Sequence, residues 1–101
     1  MKEMLTFLSS LRKTYYLYIG DGDLIAFKHF IDGYIMCLRN TDQLDHPELY
    51  EEFCNYVEKH YQFDNTSTSI YRKIKQYTDS SSKAFSTFFD FLDEFIALKQ
   101  S

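Results

Sequence analysis

The sequence predicts an all-α protein, a compact single-domain bundle (residues 1–101) of about five helices around a central helix at about residues 23–39. Two observations carry this. Apolar residues recur at three- and four-residue steps through most of the chain, the spacing that stacks side chains on one helical face. Proline appears once, glycine three times, and the Phe and Tyr content is high, with 10 and 9 residues. Aromatic rings bury much area per residue, which a 101-residue chain needs to hold a core.

The central element is DLIAFKHFIDGYIMCLR, Asp23 to Arg39, where Leu24, Phe27, Ile31, Tyr34, Ile35 and Leu38 form the stripe. Phe30 and Cys37 widen it, so neighbours are expected on more than one side. Asp21 or Asp23, in the turn Gly20-Asp21-Gly22, is expected to cap its free N–H groups. Gly33 lies mid-helix, at a cost of about 1 kcal/mol relative to alanine, so a close helix crossing is expected there.

Before it, Met1, Met4, Leu5, Leu8 and Leu11 predict a first helix from about residue 2 to 11 or 12. Thr14 to Ile19 is β-branched and aromatic but has no partner strand in the chain, so it is expected as an extended segment on the helices. After the centre, Pro47 suits a first helical turn, with Asp45 or His46 as cap, and Leu49, Phe53, Tyr56, Val57 and Tyr61 give a third helix from about 47 to 61. Residues 63–69, FDNTSTS, read as a loop. Ile70, Tyr71, Ile74 and Tyr77 give a short fourth helix, and Phe85, Phe88, Phe89, Leu92, Phe95 and Ile96 a last one over about 82–99.

Charge separates the segments. Residues 40–65 hold one base, Lys59, against seven acids, so this segment outweighs the net charge of −4 while the flanks are near balance. Such a face repels nucleic acid and attracts basic partners. Cys37 and Cys54 sit among apolar residues without a CxxC pair and are expected as buried reduced thiols, which implies the cytoplasm. The N-terminal residues have no signal-peptide pattern, and no stretch approaches the length that spans a bilayer.

Chemistry is sparse. His29, His46 and His60 stand in no HExxH, Cys–His or Ser–His context, and His29 with Asp32 offers only two ligands, so neither catalysis, metal nor cofactor is expected. Arg12-Lys13-Thr14-Tyr15-Tyr16 and Tyr71-Arg72-Lys73 with Lys75 and Tyr77 are basic-aromatic patches of the kind that binds nucleic acid, set against an acidic chain. Asp90, Asp93 and Glu94 read as an exposed charged face.

Three pieces together carry a family resemblance. Residues Leu11-Arg12-Lys13 through Tyr18-Ile19-Gly20 are similar to a KRPxxYIG segment, departing from it at Thr14-Tyr15. Leu24, Phe30, Gly33 and Tyr34 follow an L…F..GY pattern. Ala84, Phe85, Phe88, Phe89, Leu92, Asp93, Glu94 and Phe95 follow AF..FF..LDEF. In this order the chain resembles small bacterial immunity proteins encoded beside polymorphic toxins, including those of contact-dependent growth inhibition. The resemblance implies a cytoplasmic, non-catalytic protein, monomer or weak dimer, that binds one cognate toxin domain. Many such toxins are nucleases with basic substrate faces, so the expected contacts are Glu48, Glu51, Glu52 and Glu58 on the third helix and Asp90, Asp93 and Glu94 on the last. The alternative is a helical adaptor or regulatory subunit with another protein partner, and a third reading is a small nucleic-acid-binding regulator.

Overall fold

Asp23 starts the helix around which the others pack. Its carboxylate accepts from the backbone N–H groups of Ile25 and Ala26 at 3.0 and 3.1 Å, closing two donors that a helix start leaves open. In the computed structural model, which describes residues 2–100, this helix, α3, runs Leu24–Asn40. The all-α class is as the periodicity predicts: α1 is Met4–Ser10, α2 Tyr15–Ile19, α4 Glu48–Lys59, α5 Ile70–Gln76 and α6 Ser81–Gln100. A 3₁₀ turn, Leu11–Lys13, joins α1 to α2. Met1, expected in the first helical stripe, lies outside the described residues.

The core follows the stripes except at Tyr34 and Tyr77, which are exposed. Leu24, Phe27, Ile31, Ile35 and Leu38 of α3 are buried, as are Phe53 and Val57 of α4 and Phe85, Phe88, Phe89, Leu92 and Phe95 of α6. Phe27 and Phe53 each meet Phe88 at 5.5 Å between centroids and 87° between planes. These edge-to-face contacts place the positive rim of one ring on the negative face of the next.

Four expectations give way. Tyr15–Ile19 is helical, not extended. Its backbone closes locally, with Gly20 N–H donating to the Tyr16 carbonyl at 2.9 Å; Tyr15 stacks on the buried Phe85, and Tyr18, itself exposed, stacks on the half-buried Phe30. Packing overrides the β propensity of the segment. Gly20 ends it at φ +58°, which glycine adopts without strain. Second, no side chain caps α4: Pro47 occupies the N-cap, and His46, at φ 57°, offers its carbonyl to Leu49 N–H instead. Third, Cys37 is exposed and Cys54 only partly buried, because Cys37 falls on the outer side of α3 beside Tyr34; both thiols are free.

The fourth concerns Gly33. A Cβ built there meets nothing within 4 Å, so no helix crosses close to it. Gly33→Ala is therefore expected to stabilise the fold by about 0.5–1 kcal/mol, read as a raised denaturation midpoint. A lowered midpoint would show that the position is crowded.

A parallel pairing of Lys2–Glu3 with Leu44–Asp45 also escapes the sequence, since two residues are too few to show an alternating pattern. The 63–69 segment is a loop as expected, and Asp64 organises it. Its carboxylate accepts from the Thr66 hydroxyl at 2.7 Å, the Thr66 backbone N–H at 3.0 Å and the Tyr77 hydroxyl at 2.8 Å. The two Thr66 bonds, then that from Tyr77, hold its pKa down to about 2 from an ordinary 3.8. A depressed carboxyl pKa contributes stability above the unfolded value and loses it as pH falls through the folded one. The melting-temperature gap between wild type and Asp64→Asn should thus be full at neutral pH and close from pH 3.8 down to about 2. A gap constant across that window would contradict the assignment.

Candidate protein-binding surface

The acids of α4 and α6 sort themselves by helical position. On α4 the buried side is marked by Phe53 and Val57, and Glu48 and Glu51 project on the opposite side. Glu52 leans toward α6 and pairs with Lys99, whose ammonium also lies 5.5 Å from the Phe95 ring centre. Glu58 leans toward α5 and pairs with Lys73. On α6, Asp93 holds Arg12 at 2.7 Å, while the same guanidinium nitrogen donates to the Phe89 carbonyl at 2.9 Å. Glu94 accepts from the Tyr56 hydroxyl at 3.0 Å. The Tyr56–Glu94 and Glu52–Lys99 contacts tie the two acidic helices side by side.

Of the seven predicted contacts, four are therefore engaged within the chain. Glu51 and Asp90 make no ion pair among the described residues, and Glu48 meets only the exposed His46 ring at 3.4 Å. The turn before α4 adds Asp42 and Asp45, both exposed and without an ion pair among the described residues. Together Asp42, Asp45, Glu48 and Glu51 carry negative charge at and just before the start of α4; of the other acids in the middle segment, Glu52 and Glu58 are ion-paired and Asp64 is held by hydroxyl and backbone donors in its loop. Sequence reading counted Asp42 and Asp45 as acids but not as contacts.

Apolar side chains also stand out of the surface. Tyr16, Leu17 and Tyr18 of α2 are 58%, 66% and 55% exposed, and Tyr34 continues the ribbon through Phe30. Phe63 and Tyr77 form a second exposed pair at 5.1 Å. Rings of this kind make low-entropy anchors for a partner. Sequence reading treated Thr14 to Ile19 as a packing segment, and so missed its outward tyrosines.

The basic-aromatic patches are largely spent on the fold. Arg12 is held by Asp93 and Tyr15 is stacked on Phe85; Lys73 and Tyr71 are buried, and Lys75 donates to Asp23 at 2.6 Å.

Between α3, α4 and α5 lies a polar relay that the sequence did not reveal. The Tyr71 and Tyr50 hydroxyls are 2.9 Å apart, Tyr50 reaches Asp32 at 3.4 Å, and Lys28 donates to the other Asp32 oxygen at 2.6 Å. The relay is built for protonated groups. Burial pushes Tyr50 and Tyr71 well above the ordinary tyrosine range and Cys54 beside them up to about 11. A thiol at that value is not a nucleophile near neutral pH, because the thiolate is the reactive form. Neither His29 nor Asp32 is set up for a metal: Asp32 is taken by Lys28, and His29 is exposed.

Comparison with protein-family models, with curated proteins and with solved structures finds no match. No helix among the described residues is long and apolar enough to cross a membrane.

Proposed function

We propose that the protein is a cytoplasmic immunity protein: a non-catalytic domain that binds and neutralises a cognate cytotoxic domain, a nuclease, by covering its active site or substrate surface. The observation that supports this reading is the patch of Asp42, Asp45, Glu48 and Glu51, four exposed carboxylates without a basic partner among the described residues beyond the His46 contact. Such a patch mimics the charge of a nucleic acid, so a basic substrate face attracts it over distances of about a Debye length. Exposed rings then supply the burial that holds the complex. The family resemblance of the three sequence segments adds to this, and the raised Cys54 thiol argues against nucleophilic catalysis in the relay.

Immunity genes lie beside the toxins they counter. The test is co-expression with the C-terminal domain encoded immediately upstream, scored by cell survival and co-purification. Survival with a stable complex is expected. A harmless upstream product, or death without binding, overturns the reading and brings forward an adaptor or regulatory role.

A further inference from the structure

Gly33 is not explained by the fold. It sits in the middle of α3, where glycine weakens a helix, and no neighbour among the described residues uses the space its missing Cβ leaves. The face around it is also uncharged, in a chain that is 26% charged. His29, Gly33, Tyr34, Met36, Cys37 and Asn40 are all exposed, and none carries a carboxylate, ammonium or guanidinium. The charged side chains of α3, Lys28, Asp32 and Arg39, lie on the flank toward Tyr50 instead. The half-buried Phe30, with the exposed Tyr18 stacked on it, borders the face on the side of α2. Rings and a methionine that is 64% exposed, with no charge among them, are the composition of an interface core rather than of a solvated helix.

Charge and symmetry select the occupant. A basic partner gains nothing from an uncharged face, whereas a second copy of the chain brings an uncharged face to match. Phe30 and Met36 stand three residues either side of Gly33. Two α3 helices crossing antiparallel at the glycine therefore set Phe30 of each against Met36 of the other, a favourable pairing of ring and thioether. Ala26 and Gly33, two turns apart on one line, let the backbones approach. The antiparallel sense also limits repulsion between two chains of charge −4. Asp42 lies about 13 Å along the axis from Gly33, so the acidic turns of the two copies end up about 25 Å apart, beyond the ~8 Å screening length of physiological salt. A parallel pairing would bring them together.

We propose that this face of α3 is the interface of a weak symmetric homodimer, its two copies crossing antiparallel at Gly33. Area sets the strength. At about 100 Å² for each half-exposed large side chain, the face and Tyr18 supply about 500 Å² per copy. The total of about 1,000 Å² is the lower limit for specific association, so the dimer is one of high protein concentration. The pairing is independent of the immunity reading.

Sedimentation equilibrium of the full chain between about 10 μM and 1 mM tests it, with ¹⁵N amide shifts followed over the same dilution. A monomer–dimer equilibrium is expected, with dilution shifts confined to Tyr18 and the exposed positions of 29–40. Gly33→Glu sets two carboxylates face to face on the twofold axis and should weaken the dimer at least about tenfold. Asn55→Glu adds the same charge at an exposed position of α4 and should leave the dimer unchanged. Met36→Glu, at an exposed position of the same face, repeats the test without altering the glycine, and the amide spectrum shows that each variant is folded. Dilution shifts centred on α4 or α6, or equal weakening by Asn55→Glu, overturn the pairing. A chain that stays monomeric at the highest concentration also overturns it and leaves the face to a different protein.

Discussion

Phe88→Ala is expected to cost about 3–5 kcal/mol, enough to lower the thermal midpoint by at least about 12 °C in a domain of this size. Phe88 is fully buried and touches rings from three other elements: Phe27 of α3, Phe53 of α4 and Tyr71 of α5. Removing it opens a cavity that none of these helices can close alone, since each is held elsewhere along its length. Ile96→Ala, a partly buried neighbour on the same helix, should cost clearly less. Urea unfolding followed by circular dichroism gives both values. A loss below about 1 kcal/mol for Phe88→Ala would mean that the helices do not converge on this ring.

The second large effect belongs to Lys73. Its side chain is 1% exposed, and its ammonium reaches Glu58, which is 45% exposed. Glu58→Ala leaves the ammonium buried without its partner, a loss of about 3 kcal/mol, the low end for breaking a buried pair because Glu58 is half in water. Replacing both, Glu58→Ala with Lys73→Met, removes the buried charge along with its partner and should restore most of that stability. The exposed pair Glu52–Lys99 is the control: Glu52→Ala should cost no more than about 1 kcal/mol. If Glu58→Ala and Glu52→Ala cost the same, the Lys73 ammonium is not committed to Glu58.

Lys73 also shows where reading the sequence stops. Between Tyr71 and Ile74 it looked like one of three exposed bases, because on a seven-residue helix almost any residue lies within one turn of the buried side. Only the position of α4, whose Glu58 is 15 residues away, decides that it turns inward. The long helices behaved differently. In α3 and α6 the apolar stripe repeats over four or five turns, and the Asp23 cap marks a boundary, so their limits were legible to within one or two residues. The segment Tyr15–Ile19 was not, because its aromatic and β-branched residues favour a strand locally and only Phe85 and Phe30 settle it as a helix.

The same division runs through the candidate surface. That α4 and α6 carry acids was plain from composition. Which acids remain available depends on partners 38 to 81 residues distant, Tyr56 for Glu94, Lys99 for Glu52 and Arg12 for Asp93, and no local pattern encodes those. What survives is a smaller patch, centred on the turn into α4 rather than spread over both helices.

That patch is the centre of the functional account, and its most direct measurement is the rate of association with the proposed toxin domain across a salt series, for wild type and for Glu48→Lys with Glu51→Lys. Both positions are exposed, so the variant keeps its fold. Electrostatic steering predicts that wild-type association slows steeply with salt, and that the variant associates at least about tenfold more slowly at low salt with a flatter dependence. Superimposable rates at every salt concentration would take α4 out of the interface and contradict the account.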